Sequence, residues 1–141
     1  MLDNRLVAVD DRIEARTAEG ALKEQLANII TAAVEPAFLG IFRLFLTEAS
    51  KFPEIFAAFY ATTEQQSKRL LLKQLARHDE FARSKVPHEE TASMLLNMAG
   101  ILVMMASAQP ELHEEISPER EAARIVDVIL HGVLEGGANA P

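Results

Sequence analysis

Residues 41–60 form an apolar, aromatic-rich run that a Phe-Pro pair interrupts once. Apolar residues recur at helical spacing on each side of that pair: Phe38, Ile41, Phe42 and Phe45 before it, and Ile55, Phe56, Phe59 and Tyr60 after it. Pro53 disfavours helical geometry at the preceding residue and suits the first turn of a new helix. The run therefore predicts two helices joined by a sharp corner. Its aromatic rings either fill a core or form the wall of a cavity for an apolar small molecule.

Helical periodicity extends along the whole chain, without a clear run of the strict alternation that indicates a strand. The length of 141 residues is that of one ordinary domain. Proline falls at the start of several predicted helices, and a Gly-Gly pair follows the last one. The sequence predicts a single all-α domain of about six helices, at residues 2–16, 18–34, 36–50, 53–84, 87–107 and 118–135.

The last two predicted helices are apolar on more than one side, which is typical of helices buried against two neighbours. In a domain of this size the second neighbour is expected to be another subunit. We predict a homodimer in which these two helices from each chain form an intermolecular four-helix bundle. The predicted interface residues are Met105, Ala122, Ile125, Val126, Ile129, Leu130 and Val133.

Charge and composition exclude several classes of protein. The net charge of −7 opposes binding to nucleic acid by the chain itself, because phosphate backbones are held mainly by Lys and Arg. The absence of cysteine excludes disulfides, zinc–thiolate sites and a cysteine nucleophile. The start of the chain carries acids where a signal peptide has a basic end. The nearly apolar stretch 94–106 is shorter than the roughly 20 residues of a membrane span. We therefore expect a cytoplasmic protein without membrane contact.

Catalytic and metal-binding motifs are not found in the sequence. The four histidines lack the Glu-x-x-His and His-Glu-x-x-His spacings of metal bundles and zinc proteases, and no phosphate-binding or nucleophile-elbow motif occurs. We predict no enzyme activity, no metal and no cofactor, so a small helical enzyme or metal protein is the disfavoured alternative. On pattern alone, the aromatic and methionine stripes fit a core better than a ligand site.

The central motif of residues 42–60, FRLFLTEASKFPEIFAAFY, resembles the C-terminal ligand-binding and dimerisation domain of TetR-family transcriptional repressors, in the AefR-like subgroup. The matching positions are Arg43, Leu44, Glu48, Ala49, Phe52, Pro53, Glu54, Ile55, Phe59 and Tyr60. Helix order extends the resemblance over nearly the whole chain, although only the central motif is sequence-specific. Within this motif, Arg43, Glu48 and Glu54 are expected to be structural, through ion pairs or capping.

The resemblance implies a sensor of a small apolar or amphipathic effector, which binds in a pocket among the middle helices and has Tyr60 and His78 as polar anchors. The implied pocket residues are Phe38, Phe42, Phe45, Phe56, Phe59, Tyr60, His78, Met94 and Met98. Family members contact DNA through a preceding helix-turn-helix domain. We expect this chain to lack that domain and not to bind DNA alone, because the predicted helix at 2–16 resembles the family's connecting helix. The alternative is a free-standing interaction module that heterodimerises with a full-length regulator.

Overall fold

Five α-helices and two short 3-10 helices form the fold of residues 9–132, which are the residues that the computed structural model describes. The α-helices are α1 (Ala18–Ala33), α2 (Pro36–Glu48), α3 (Pro53–Arg77), α4 (His88–Ala108) and α5 (Pro118–His131). The 3-10 helices, Asp79–Arg83 and Pro110–Glu114, lie before and after α4. The prediction of an all-α fold is confirmed, and α2 and α4 begin and end within two residues of their predicted limits.

Local sequence signals explain where these helices begin. Thr17 caps α1, since its Oγ1 accepts a hydrogen bond from the N–H of Gly20 at 3.0 Å. Ser117 caps α5 through the N–H of Arg120, at 3.3 Å. Proline occupies the first turn of α2, α3 and α5, where the missing N–H has no intrahelical partner to lose. The Phe-Pro corner predicted from the sequence separates α2 from α3.

The predicted first helix is wrong for residues 9–16, which have no regular secondary structure; the rest of that prediction lies outside the described residues. Side chains of α1 bind the backbone of this segment. The carboxylate of Glu24 accepts two successive backbone N–H groups, beginning with Glu14, at 2.9 and 3.0 Å. The carbonyl of Asp10 accepts a hydrogen bond from Asn28 Nδ2 at 2.8 Å. These contacts satisfy backbone groups that a helix would otherwise pair internally.

The predicted fourth helix, 53–84, is too long. The α-helix ends at Arg77 because His78 is extended, with φ −109° and ψ 124°. The chain then continues as a 3-10 helix, which buries Phe81 against the core. The last helix also stops before its predicted end at residue 135. Gly132 follows it with φ +77°, a left-handed conformation that favours glycine.

Helix α1 lies at the centre of the bundle. It packs most extensively on α5 and also contacts α2, α3 and α4. Leu22, Leu26 and Ile30 of α1 are fully buried and form the middle of the core. Helix α2 is bent away from α1 by 68°, so it covers one end of α4. This bend opens a space between the two helices on the side that α3 and α4 close.

Helix α4 is the most apolar of the long helices that the structure describes. Its mean hydropathy reaches 1.6, so by length and composition alone it is able to cross a membrane. The α1–α2 pair passes the same test only as a segment with its 68° bend. In the fold, however, α4 contacts all four other α-helices and buries Leu95, Ala99, Val103 and Ala106. Packing inside the bundle accounts for this inner face, whereas Met94, Ile101, Met104 and Met105 leave an outer face of α4 apolar and exposed.

Candidate functional site

A cavity of about 210 Å³ lies between α1, α2, α3 and α4. Its walls from the first two helices are entirely apolar: Ile29, Ile30, Ala32 and Ala33 from α1, and Phe38 and Phe42 from α2. Val9, in the irregular segment before α1, also lines the cavity. Ile30, Phe38 and Phe42 are buried and belong to the main core, so the inner wall of the cavity is continuous with it.

Helix α4 provides a second wall and part of the opening. Ala99 and Val103 are buried on the inner side, whereas Ile101 and Met104 are more than half exposed at the outer edge. Gly100 also lines the cavity, and a Cβ atom added there would have no heavy atom within 4 Å apart from its chain neighbours and the backbone of its own helix. The cavity is therefore partly open to solvent along α4 and has free space beside Gly100.

Helix α3 provides the polar wall. Tyr60, Thr63, Glu64 and Ser67 are spaced at i, i+3, i+4 and i+7, so they share the helix face that lines the cavity. Exposure falls along this face from 46% at Tyr60 to 9% at Ser67. Tyr60 thus lies near the opening and Ser67 lies deep. Asn97 of α4 is a further polar residue in the lining.

The predicted pocket residues divide into two groups. Phe38, Phe42 and Tyr60 line the cavity, but Phe59 and Phe45 do not. Phe59 is 1% exposed and lies at the centre of an aromatic cluster, with its ring centroid 4.5 Å from that of Phe45 and 5.8 Å from that of Phe38. The space that a ligand would need beside Phe59 is already filled by other rings.

The other predicted pocket residues also lie outside the cavity lining. Phe56 stacks against Tyr60 with centroids 6.4 Å apart, and Met98 packs against the core. Met94 is exposed on α4. His78 follows the end of α3 and makes an edge contact with Phe81, so the structure places only one of the two predicted polar anchors at the cavity.

Sequence reasoning missed the polar residues of α3. Thr63, Glu64 and Ser67 lie in a stretch whose polarity suggests a solvent-exposed face. Their spacing from Tyr60 and from the fully buried Leu71 was the available signal, because these five residues lie along one helix face. Because Thr63, Glu64 and Ser67 lie on the helix face that Tyr60 and Leu71 define, their side chains face the same interior space as those two residues.

The predicted dimer residues of α5 lie mostly inside the monomer. Ala122, Ile125 and Val126 are buried in the core, and α5 makes its largest contact with α1. Ile129 and Leu130 are partly buried against that core, and Val133 lies outside the described residues. The stripe on α5 is thus occupied by the chain's own α1. Met105, in contrast, is 51% exposed on α4 and is accessible to a second chain.

Three potential metal ligands, Glu19, Asp127 and His131, meet at the surface where α1 and α5 join, with their ligand atoms within 4.8 Å of one another. Their geometry fits an ion-pair network. His131 Nε2 lies 2.6 Å from Glu19 Oε1, and Lys23 Nζ lies 2.9 Å from Asp127 Oδ1. The ammonium group of Lys23 already pairs with the carboxylate of Asp127. Both pairs join a residue of α1 to a residue of α5, so the cluster links these two helices.

Two of the three charged motif residues expected to be structural, Arg43 and Glu48, have such contacts, while the role of Glu54, in the first turn of α3, stays a prediction. Arg43 Nε donates to the carbonyl of Ser107 at 2.7 Å, which ties α2 to the last turn of α4 and satisfies a carbonyl near the helix end. Glu48 forms an ion pair with Lys51 at 3.3 Å, in the turn before the corner. The Arg43 contact holds α2 against α4, the Glu48 pair lies within the corner itself, and neither residue lines the cavity.

A family model for the AefR-like transcriptional repressor, C-terminal domain, matches residues 20–132. The match runs from the first turn of α1 to the residue after α5, so it includes every helix that lines the cavity. The chain belongs to this family. A search of curated proteins and a search of solved structures found no match. The resemblance carried by the central motif is therefore confirmed, and this AefR-like domain belongs to a family of transcriptional regulators.

Proposed function

We propose that this AefR-like domain is the effector-sensing and dimerisation domain of a cytoplasmic transcriptional repressor, and that the cavity between α1 and α4 binds the effector. The cavity carries this proposal, since it joins the apolar walls of α1 and α2 and the mostly apolar wall of α4 to the polar wall of α3. An engineered apolar cavity of about 150 Å³ is large enough for benzene. A partly open cavity of about 210 Å³ therefore suits a compact ligand with one or two rings, or a short chain of similar size.

Coupling to the rest of a repressor is proposed to pass through the segment before α1. Val9 of this segment lines the cavity, and Glu24 and Asn28 of α1 hold the neighbouring backbone. In the family, a connecting region in this part of the chain leads to the helix-turn-helix domain. A ligand that binds one position of Val9 more tightly than another shifts the equilibrium between the two positions. The effector thereby alters the placement of the DNA-binding domains.

Dimerisation is proposed to use the exposed apolar face of α4. Met94, Ile101 and Met105 are spaced at i, i+7 and i+11, so they form one stripe along the helix, and all three are exposed. Val128 of α5 is also exposed, at 39%. A two-fold axis beside α4 would bring this stripe against its own copy. Met105 thus keeps its predicted place in the dimer interface. The buried stripe of α5 instead packs against α1 of the same chain.

Filling the cavity from α4 tests the proposed binding site. Gly100→Leu places a side chain in the free space beside Gly100, so we expect at least about a tenfold loss of affinity for any ligand found in a thermal-shift screen of apolar and amphipathic compounds. The variant itself should be no less stable than the wild type, because glycine inside a helix costs about 0.5–1 kcal/mol relative to alanine.

Gly40→Leu is the matched control. Gly40 also lies inside a helix with open space around its Cβ position, but it is exposed on α2 and does not line the cavity. Ligands should stabilise this variant as they stabilise the wild type. Equal affinity of a ligand for the Gly100→Leu variant and the wild type, or a screen without any binder, would contradict the proposed site.

A further inference from the structure

The cavity has one charged residue among the described residues that line it. Glu64 projects from the polar face of α3 between Tyr60 and Ser67 and is partly buried, while all the other lining residues are apolar or neutral. A carboxylate beside apolar walls loses part of its hydration and gains from a cationic partner. The charge of Glu64 therefore favours ligands that carry a positive charge at this point of the cavity.

The neighbouring cation on α3 forms its ion pair with a different carboxylate, that of Glu89. Lys68 lies one turn after Glu64, and its Nζ is 2.7 Å from Glu89 Oε2 in the first turn of α4. The hydrogen bond with Glu89 is the main cause that raises the pKa of Lys68 above its ordinary value, and the negative charge of Glu64 contributes to the same shift. Among residues 9–132, Glu64 has no ion pair within 4.0 Å. The two carboxylates and one ammonium leave a net negative charge at this side of the cavity.

We propose that the preferred effector is a small cationic amphipath, namely an amine attached to one or two rings or to a short apolar chain. This inference rests on the proposed function and specifies the ligand class of the same cavity. The ammonium group would bind Glu64, and the apolar body would lie against Ile30, Phe38 and Val103. An ammonium compensates the lost hydration of the carboxylate through a charge-assisted hydrogen bond, whereas a neutral hydroxyl compensates less of it and an anionic ligand is repelled.

Tyr60 strengthens the case for a cation. It precedes Glu64 by one helical turn on the same face, so a cation bound at Glu64 also lies near the aromatic ring. Aromatic rings attract cations through their quadrupole. Tyr60 is 46% exposed, which places this charged end of the cavity toward solvent and leaves the apolar end in the core.

The test compares three probes of similar shape: naphthylmethylamine, naphthylmethanol and naphthoate. Isothermal titration with the full chain at neutral pH should give the highest affinity for the amine, about tenfold or more above the alcohol, which is the scale of one charge-assisted hydrogen bond. Naphthoate should bind most weakly. Glu64→Gln should reduce the affinity for the amine to that for the alcohol and leave the affinity for the alcohol unchanged.

Two further variants test whether the affinity for the amine depends on the charge at Glu64 in particular. Lys68→Gln removes the neighbouring positive charge and should increase the affinity for the amine while leaving that for the alcohol unchanged. Glu54→Gln, which removes an exposed acid from the first turn of the same helix, should change neither affinity. An amine affinity that is insensitive to Glu64→Gln would overturn the assignment of Glu64.

The possible failures are distinguishable. If the alcohol and the amine bind equally and both lose affinity in the Gly100→Leu variant, the cavity is a ligand site and only the preference for a cation is overturned. If no probe binds, or if every probe binds the Gly100→Leu variant as well as the wild type, the proposed function of the cavity is overturned together with the preference.

Discussion

Phe59→Ala is expected to lower the free energy of unfolding by about 3–5 kcal/mol, the range found when a buried aromatic side chain is truncated to alanine. Phe59 is 1% exposed, and its ring lies within 6.5 Å, centroid to centroid, of Phe38, Phe42 and Phe45. Truncation leaves a cavity where α2 meets α3. Since domains are stable by only about 5–15 kcal/mol, this loss is a large part of the total.

Urea denaturation followed by circular dichroism measures the change. Phe52→Ala is the control, because Phe52 is 54% exposed at the corner and its truncation should cost well under 1 kcal/mol. If Phe59→Ala does not fold, Phe59→Leu provides a milder truncation that should lie between the alanine variant and the wild type. A loss below about 1 kcal/mol for Phe59→Ala would contradict the central position of this ring in the core.

Met105→Glu is expected to raise the dissociation constant of the proposed homodimer by about 100-fold or more, since one carboxylate per subunit would be buried in an apolar contact. A two-fold interface doubles the effect, because the substitution occurs on both sides of it. Met105 is 51% exposed on α4 and does not line the cavity. The substitution should therefore separate the subunits without unfolding the monomer.

Sedimentation equilibrium at micromolar concentration distinguishes the two states. Leu44→Glu, on the 61% exposed Leu44 of α2, is the control and should leave the dimer intact. A wild-type chain that is monomeric throughout this range would refute dimerisation. An undiminished dimer of the Met105→Glu variant would refute the assignment of the interface to the outer face of α4.

Much of the helical framework was predictable because its signals are local. Pro53 and the residue before it set the corner, Thr17 and Ser117 set the starts of two helices, and the 3.6-residue period identified the apolar stripes. Each of these signals depends on residues within one or two turns. The central motif likewise identified the family, and its matching residues lie within a single stretch of 19 positions, residues 42–60.

Boundaries failed where distant residues compete with local preference. Residues 9–16 have helical spacing, but Glu24 and Asn28 bind their backbone from the neighbouring helix. The predicted fourth helix extended past His78, whereas in the fold the α-helix ends there and Phe81 reaches the core from a 3-10 helix. In both cases a contact with a distant part of the chain provides the backbone hydrogen bonds or the burial that the local pattern had attributed to a helix.

The sequence by itself determined that the chain is helical, where its Phe-Pro corner lies and to which family it belongs. The tertiary structure decided what each apolar stripe packs against. A stripe at helical spacing indicates that a face is buried, but a helix of the same chain, a second subunit and a ligand all satisfy that requirement equally. The stripe of α5 is covered by α1, Phe59 is covered by other rings, and the space that remains open lies beside Glu64 and Gly100.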